Sequence, residues 1–339
     1  MTLRVAVLGA SGYAGGELIR LVDDHPVMEI AYLGAHSRAG SRLGDVHPHL
    51  GGGARRLEPI RSDLADGTDI AFLGLPHGSS WETAHLLAEA GVAVFDLGSD
   101  FRMDTPERYE AAYGSPHPLP AELSAWLYGL PELFGDTLPG ARRVAVPGCY
   151  PTSALLGLAP LLSAGVISGP IVVDSMSGVT GAGRGLRADL HYGAVDESVR
   201  AYGITTHRHR PEIEMGLEAV IGVPEAVQFT PHLVPMQRGI LSTCSATLTA
   251  RGAIKPVLRE AYDRTAFVDV IDVPPQTRWV VGSNRALIHA AEDGPTGRAI
   301  VTVAIDNLGK GAAGQAIQCA NLALGLPEAS GLTAVGWLP

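Results

Sequence analysis

Residues 3–15, which read LRVAVLGASGYAG, decide the fold. The apolar run at 5–8 predicts a buried strand, and a helix is predicted over 15–22. Glycines between them allow a tight turn and let backbone N–H groups approach a pyrophosphate at the positive end of the helix. A Gly-x-x-Gly-x-x-Gly pattern alone is also compatible with a purely structural turn, but its place between a strand and a helix favours dinucleotide binding. The residues expected to contact the dinucleotide are Gly9, Ser11, Gly12, Tyr13, Ala14 and Gly15.

The end of the second predicted strand, at 30–33, indicates which dinucleotide binds. An NAD site usually has Asp or Glu there to bind the ribose 2′-hydroxyl. Residues 34–38 read GAHSR and contain no carboxylate. Ser37 by a hydrogen bond and Arg38 by its charge suit a 2′-phosphate instead, so NADP is the predicted cofactor.

Strands and helices continue to alternate along the first hundred residues. This alternation predicts a doubly wound parallel sheet, the α/β architecture of a Rossmann domain. Residues 102–142 are irregular and rich in proline, as expected of a connection. The further elements predicted in this part are strands at 70–75, at 92–96 and near Val144, and a helix at 80–90.

Beyond residue 148 the β-rich runs become longer and alternate more clearly. Alternation of this kind predicts half-buried strands of a mixed or antiparallel sheet, and therefore a second, α+β domain. The final helix, predicted over 310–324, is rich in small residues and is expected to return to the first domain. The elements predicted between them are a helix at 152–162 and strands at 171–174, 228–233, 241–248 and 299–305.

Composition narrows the possible partners and compartment. A chain of 339 residues suggests about two domains. The net charge of -10 argues against nucleic acid and anionic membranes as partners. No apolar run approaches the ~18 residues of a membrane helix, and the N-terminus lacks the features of a signal peptide. Three widely spaced cysteines without a Cys-x-x-Cys pair make a disulfide framework or a structural zinc site improbable, and the cytoplasm is the expected location.

Cys149 is the candidate nucleophile. It lies in VPGCYPT, residues 146–152, between a predicted strand and a predicted helix. Pro151 suits a first helical turn, so the thiol is expected at or near the helix N-terminus, where the partial positive charge favours the thiolate. A lone cysteine is more often an inert core residue, and Cys244 and Cys319 are assigned to the core.

A thiolate beside a nicotinamide implies an acyl thioester and hydride transfer, and such a site also needs a proton shuttle. Residues 207–212, HRHRPE, supply His207 and His209 beside a helix that Pro211 is predicted to begin. Histidine is suited to acid–base work near neutral pH. The alternatives are an exposed basic turn, or a metal site shared with His232. No cysteine or carboxylate cluster matches such a site, so no metal is predicted.

Two further segments suit an anionic acyl substrate. Arg102 ends the motif SDFR after a strand, where ligands of parallel sheets bind, and its guanidinium suits phosphate or carboxylate. The loop SGVTGAGR, residues 177–184, presents backbone amides and Arg184. Either segment is equally compatible with an ordinary surface loop.

The motifs together resemble the N-acetyl-γ-glutamyl-phosphate reductase family of arginine biosynthesis, within the aspartate-semialdehyde-dehydrogenase-like superfamily. The resemblance covers essentially the whole chain, and PGCYPT followed by HRHRPEI is its most specific part. The motifs that carry it are GASGYAGGEL, GLPHG, SDFR, YGLPEL, PGCYPT, SGVTGAGR, HRHRPEI, FTPHLVPMQRGI and DNLGKGAAGQA.

The resemblance implies an NADP-binding Rossmann domain, residues 1–147 and 307–339, completed by the C-terminal helix. Residues 148–306 would form the catalytic and oligomerisation domain of a homodimer or homotetramer. The substrate would be an acyl phosphate, with Cys149 as nucleophile and His209, in preference to His207, as acid–base. The resemblance adds cofactor contacts from Pro76, Ser177, Gly178 and Asn307, and substrate contacts are assigned to Arg102, Arg184 and Arg208.

Two alternatives and one departure accompany this resemblance. A sister reductase acts on a one-carbon-longer aminoadipyl phosphate borne by a carrier protein, and a non-catalytic NADP sensor would keep only the Rossmann domain. The net charge of -10 gives no support to binding an acidic carrier. Val146 stands where many members have Asn, but the nucleophile and its helix are intact, so activity is expected.

Overall fold

The computed structural model describes residues 2–51, 53–61 and 63–338. The chain forms two compact units, Met1–Pro147 with Ala312–Leu332 and Gly148–Gly311 with Thr333–Pro339. The functional boundaries expected from the sequence, at 147 and 307, stay a prediction.

The strands are numbered β1 to β14 in chain order. They are β1 (Leu3–Leu8), β2 (Met28–Ala35), β3 (Glu58–Pro59), β4 (Ile70–Leu73), β5 (Ala93–Asp96), β6 (Leu127–Tyr128), β7 (Arg143–Ala145), β8 (Ile167–Ser177), β9 (Arg200–Ala201), β10 (Val227–Leu233), β11 (Ile240–Leu248), β12 (Val268–Val270), β13 (Ala286–Asp293) and β14 (Arg298–Ile305).

The helices follow the same order. They are α1 (Tyr13–Asp23), α2 (Leu43–Val46), α3 (Trp81–Glu89), α4 (Pro106–Tyr113), α5 (Pro131–Phe134), α6 (Cys149–Ser163), α7 (Tyr192–Val195), α8 (His209–Ile221), α9 (Ile254–Tyr262) and α10 (Gly314–Ala323). None of the helices in the described segments is both long and apolar enough to span a lipid bilayer.

The first unit is built on a parallel sheet in the order β3-β2-β1-β4-β5-β7-β6. All the strand pairings described in it are parallel. Strands β4 and β5 are buried along their whole length, as expected for strands covered on both faces. The strand order reverses between β1 and β4, and ligands of doubly wound sheets bind at such a reversal. The predicted Rossmann architecture is confirmed.

Helix α10 belongs to this first unit although it follows the second unit in the chain. Ala316, Ile317 and Ala320 lie in the same apolar core as Val5, Phe72 and other side chains of the parallel sheet. Small residues on α10 allow the helix to approach closely. The returning helix predicted over 310–324 is thus present, although Gly309–Ala313 forms a π-helical turn before it.

The second unit contains a mixed sheet in the order β12-β13-β14-β11-β8-β10-β9. Strand β8 pairs parallel with β10 and antiparallel with β11. Along β11, buried residues alternate with half-exposed ones, so one face of the sheet is packed and the other is more open. Helix α6 packs on the covered face, and nearly all of its residues are buried. The mixed sheet predicted from the sequence is confirmed.

Several local predictions need correction. The connection at 102–142, predicted to be irregular, contains α4, β6 and α5. Strand β13 and helix α9 were not predicted, and α8 begins at His209 rather than at Pro211. Proline is tolerated within a first helical turn because the N–H group that it lacks has no partner there. The same reasoning explains α9, where Pro256 occupies the third position of the helix.

Candidate functional site

The candidate nucleophile begins helix α6. Gly148 precedes it as the extended N-cap, and the first turn, Cys149-Tyr150-Pro151-Thr152, carries no acidic side chain. None of the three cysteines, all of which lie within the described segments, forms a disulfide, and only Cys149 is partly exposed. Its predicted position at the positive end of a helix is confirmed, although the helix starts earlier than residue 152.

Both backbone polar groups of Gly148 form hydrogen bonds. Its N–H donates to Oε1 of the fully buried Glu212 at 2.7 Å. Its carbonyl accepts hydrogen bonds from the Thr152 backbone N–H, at 2.9 Å, and from Thr152 Oγ1, at 3.0 Å. Because Glu212 is in the first turn of α8, this contact sets the start of α6 against the start of α8.

Gly311 packs directly against Cys149. A Cβ atom at this position would lie 2.7 Å from Cys149 Cβ and 3.3 Å from Cys149 Cα. The Gly311 N–H donates to the carbonyl of Asp306 at 2.8 Å, which fixes the backbone there. Glycine is therefore required at position 311 because the backbone there lies so close to Cys149. The motif GKG in the sequence did not reveal this requirement.

The two histidines differ in environment. The His207 Nδ1 accepts a hydrogen bond from the His209 backbone N–H at 3.1 Å, so the proton of a neutral His207 ring lies on Nε2. Burial, together with the charge of Arg208, lowers the pKa of His207 to about 4. His207 is therefore neutral near pH 7. His209 is 8% exposed and is the first residue of α8.

Two tyrosines complete the surroundings of His207. The hydroxyl groups of Tyr150 and Tyr202 are 3.0 Å apart. Burial raises the pKa of both groups, so both are neutral hydrogen-bonding groups near pH 7. Their rings contact His207 edge to face, with centroid distances of 5.7 Å and 5.5 Å. The aromatic contacts restrict how the imidazole can turn.

These side chains line a cavity of about 400 Å³ within the second unit. The cavity is wide enough for a small carboxylic acid and its acyl phosphate. Its lining residues are Cys149, Tyr150, Ser177, Gly178, Gly181, Ala182, Arg187, Asp189, Leu190, Arg200, Ala201, Tyr202, His207, Arg208, His209 and Leu233.

Three arginines make the cavity wall positive. Arg187 and Arg200 each place a guanidinium nitrogen 2.7 Å from Asp189 Oδ2, and Arg208 also lines the wall. Hydrogen bonds from Arg187 and then Arg200 lower the pKa of Asp189 to about 2. The single carboxylate of Asp189 thus orients the guanidinium groups of Arg187 and Arg200, but its one negative charge does not neutralise the three arginines. The cavity therefore suits an anionic ligand.

The structure brings some predicted residues into this cavity and leaves others out. Ser177, Gly178 and Arg208 line it, whereas Arg184 is exposed and is not among the lining residues. Arg187 and Arg200 were missed by the sequence reading. They belong to no recognisable motif, and it is Asp189 that joins them.

Asn307 links two loops of the second unit. Its side-chain oxygen accepts a hydrogen bond from Gly239 N–H at 2.7 Å, and its amide nitrogen donates to Thr180 Oγ1 at 3.0 Å. Thr180 is adjacent in the chain to Gly181, which lines the cavity. Asn307 thereby stabilises the cavity wall, and its predicted contact with the cofactor stays a prediction.

The glycine loop of the first unit has the geometry that a dinucleotide requires. Gly9 adopts φ +89°, and a Cβ there would lie 2.3 Å from the carbonyl oxygen of Gly74. A Cβ on Gly15 would lie 2.2 Å from the carbonyl oxygen of Gly9. The loop is therefore closely packed between β1, β4 and α1, and Gly12 is the N-cap of α1. This arrangement fits a pyrophosphate at the positive end of α1.

The predicted 2′-phosphate contacts lie beside this loop. Ser37 and Arg38 follow the end of β2 and are exposed. Pro76 is likewise exposed and follows β4, on the other side of β1. These residues are all at the carboxyl ends of parallel strands, where the strand order reverses, so their positions fit NADP.

Arg102 has a different environment from the one expected. It is 8% exposed, and its Nη2 donates to the carbonyl of Leu97 at 2.7 Å. It belongs to the first unit and is not among the residues that line the arginine-rich cavity. Its contact with substrate stays a prediction.

Within the described segments, potential metal ligands come together at His85, Glu89 and Glu122. Arg143 forms ion pairs with both glutamates. This group is therefore an ion-pair network on the surface of the first unit. It does not include His207 or the strand residue His232.

Comparison with protein-family models gives two matches that together span most of the chain. Residues 4–141 match the semialdehyde dehydrogenase NAD-binding domain, and residues 149–307 match the semialdehyde dehydrogenase dimerisation domain. Among solved structures, aspartate semialdehyde dehydrogenase II from Vibrio cholerae has a TM-score of 0.72 at 21% identity, over 95% of this chain and 98% of that chain. The enzyme from Candida albicans, solved with NADP, has a TM-score of 0.67 at 20% identity, over 95% and 98%. These likenesses show the fold.

Curated relatives are much closer in sequence. N-acetyl-gamma-glutamyl-phosphate reductase from Pseudarthrobacter chlorophenolicus is 47% identical, over 100% of both chains. The protein of the same name from Mycobacterium avium is 46% identical over 99% of each chain, and that from Rhodopirellula baltica is 43% identical over 97% of this chain and 98% of its own. The chain therefore belongs to the N-acetyl-gamma-glutamyl-phosphate reductase family.

Proposed function

We propose that this protein reduces N-acetyl-γ-glutamyl phosphate to N-acetylglutamate semialdehyde and inorganic phosphate, with NADPH as reductant. The observation that carries the proposal is the position of Cys149 at the head of α6, in a cavity that also contains two histidines and three arginines. A nucleophilic thiol, acid–base groups and anion-binding groups are what an acyl-phosphate reductase needs. The relatives, 43–47% identical over nearly their full length, carry the name of this activity.

The first step is acyl transfer to sulfur. The Cys149 thiolate attacks the γ-carbonyl carbon, a carbon–sulfur bond forms, and the carbon–oxygen bond to phosphate breaks with release of inorganic phosphate. Backbone N–H groups at the start of α6 stabilise the oxyanion of the tetrahedral intermediate. Arg187, Arg200 and Arg208 hold the anionic substrate against the cavity wall.

The residues proposed to hold the phosphates of the cofactor belong to the first unit. The Gly9–Gly15 loop would hold the pyrophosphate, Ser37 and Arg38 would hold the 2′-phosphate, and Pro76 would contact the dinucleotide from the neighbouring loop. When bound, NADPH supplies the hydride that converts the thioester to the aldehyde. Ser177, Gly178 and Asn307 are the further cofactor contacts that family resemblance assigns to this chain.

His209 is the proposed acid–base. It donates a proton to the sulfur of Cys149 as the carbon–sulfur bond breaks and the aldehyde is released, and it takes the proton back from the thiol to restore the thiolate for the next turnover. His207 is less suited to this role, because a pKa of about 4 leaves it neutral. Its Nε2–H is instead a fixed hydrogen-bond donor in the cavity.

Membership of the same family supports a proposal for the protein's assembly and location. Residues 149–307 match a dimerisation domain, so we propose a homodimer or homotetramer that forms through the second unit. The partner molecule is a small acyl phosphate, and the cytoplasm is the proposed location.

The decisive assay measures NADP reduction with N-acetylglutamate semialdehyde, with and without inorganic phosphate. Wild type should show phosphate-dependent reduction, which Cys149→Ser should abolish. Cys244→Ala is the matched control, because that thiol is fully buried and burial raises its pKa to about 12. Equal rates for Cys149→Ser and wild type would refute the thioester route. Turnover of the aminoadipate analogue alone would keep the chemistry and change the substrate.

A further inference from the structure

Asp100 is a buried carboxylate outside the arginine-rich cavity. It follows β5 in the first unit and is fully inaccessible to solvent. Its oxygen atoms lie against the loop that joins the neighbouring strand β4 to helix α3. The reaction described above gives Asp100 no part.

One carboxylate engages five polar groups of that loop. Asp100 Oδ1 accepts from Gly78 N–H at 2.7 Å and lies 3.0 Å from His77 Nδ1. Asp100 Oδ2 accepts from Ser80 N–H at 3.0 Å, from Trp81 N–H at 3.1 Å and from Ser80 Oγ at 2.9 Å. The contacts cover both the turn and the first amides of α3, so the loop cannot change shape without breaking several of them.

Charge makes these hydrogen bonds strong. Burial alone would raise the pKa of Asp100, but hydrogen bonds from His77, Gly78 and Ser80 outweigh it and lower that pKa to about 2. Asp100 is therefore ionised, and its contacts are charge-assisted. Burial, and then the charge of Asp100, raises the pKa of the neighbouring Asp96 to about 7. The two buried carboxyls therefore differ in charge below neutral pH.

The clamped loop lies in the dinucleotide crevice. Gly74 begins this loop, and its carbonyl oxygen would lie 2.3 Å from a Cβ atom on Gly9, so the loop packs against the glycine loop after β1. Pro76 is exposed at the point where the strand order reverses. The other side of the loop is supported as well, because the His77 ring stacks on Tyr113 with a centroid distance of 4.2 Å.

We propose that Asp100 is a positioning residue for the cofactor crevice, and that its carboxylate holds residues 76–81 in the shape that receives the dinucleotide. This inference rests on the cofactor site of the proposed function. Asparagine cannot reproduce the clamp, because only one of its side-chain atoms accepts hydrogen bonds whereas both Asp100 oxygens do so.

The experiment compares Asp100→Asn with wild type by two independent measurements. Hydrogen exchange of the amides of Gly78, Ser80 and Trp81, without cofactor, reports the clamp itself. Titration with NADPH, followed by its fluorescence, reports the crevice. Asp104→Asn is the matched control, because that carboxylate lies on the same connection but is half-exposed and pairs only with Arg108 among the described residues.

Asp100→Asn should lose protection at these amides and should raise the Kd for NADPH about 10-fold or more, the size expected from loss of charge-assisted hydrogen bonds. The KM for NADP should rise with it, while kcat at saturating NADP changes little. If Asp100→Asn does not fold, Ser80→Ala removes the Oγ contacts with Asp100 and Asp96 while it keeps the backbone contacts of Asp100, and it should show the same effects at smaller size.

Unchanged protection would show that Asp100 does not hold the loop, and lost protection with an unchanged Kd would show that the loop shape does not matter to the cofactor. Either result overturns the inference. Failure of wild type to bind NADPH would instead refute the proposed cofactor, and with it the role of the loop in binding it. The hydrogen-exchange result would still show whether Asp100 holds the loop.

Discussion

Replacing Gly311 by alanine tests how closely the chain surrounds the nucleophile. The added Cβ would lie 2.7 Å from Cys149 Cβ, 3.3 Å from Cys149 Cα and 3.2 Å from the carbonyl oxygen of Asp306. Non-bonded carbon atoms settle about 3.5–4.0 Å apart, so the new methyl group and Cys149 must separate by about 1 Å. Overpacking of this kind costs about 1–3 kcal/mol, and a displacement of about 1 Å at a reacting group can cost about 100-fold in rate.

The expected result for Gly311→Ala is therefore a fall of about 100-fold in kcat/KM and a decrease of a few degrees in Tm. Phosphate-dependent NADP reduction measures the first, and the rate of Cys149 alkylation by iodoacetamide should change with it. Gly294→Ala is the control, because a Cβ there would meet no described atom within 4 Å. Wild-type alkylation and turnover in Gly311→Ala would refute the close packing around Cys149.

Glu212→Ala should lower the free energy of unfolding by about 1–3 kcal/mol by leaving the Gly148 N–H without its acceptor, while Glu212→Gln, which keeps an acceptor oxygen, should cost less in the same urea titration. His209→Asn should reduce turnover far more than His207→Asn, and the reverse ranking in steady-state kinetics would reassign the proton donor. The pKa of His207 is lowered from 6.5 to about 4 in the folded protein, so protonation favours the unfolded chain. The contribution of the neutral ring to the free energy of unfolding is therefore fully present above pH 6.5 and is lost as the pH falls toward 4. Urea unfolding across this pH range should show a decrease in the free energy of unfolding of at most about 3 kcal/mol in wild type. His207→Asn should not show this decrease. Arg38→Gln should raise the KM for NADPH about 10-fold or more with little effect on the KM for NADH, and equal effects on both would refute the 2′-phosphate contact.

Local patterns in the sequence were sufficient to predict the central strands of the first unit. Strand β4 is a continuous apolar run, and β5 is apolar as far as Asp96 at its end. The glycine pattern lies between a strand and a helix, which is the context that dinucleotide binding requires. The position of Cys149 was predictable for the same reason, since a strand, Pro-Gly and a helix are local features. These predictions needed no knowledge of which distant residues meet.

The cavity wall was not predictable in this way. Twelve residues, which include the short helix α7, separate Arg187 from Arg200. The two side chains converge because the edge strand β9, which contains Arg200, pairs with β10 and because both guanidinium groups bond Asp189. Arg184, which stands in a glycine-rich motif, remains outside. Long-range pairing and a single carboxylate decided which arginines face the cavity, and neither leaves a periodic signal in the sequence.

The two histidines show how far the structure goes beyond the pattern HRHR. In the sequence His207 and His209 are equivalent, each followed by arginine. Folding removes that equivalence, because His207 is enclosed by Tyr150 and Tyr202 and bonds the His209 backbone, whereas His209 begins a helix. A ring held neutral can orient a substrate by hydrogen bonding, but it cannot return a proton to sulfur unless it first gains one. The side chain that gains and loses the proton is therefore expected to be the other one, His209.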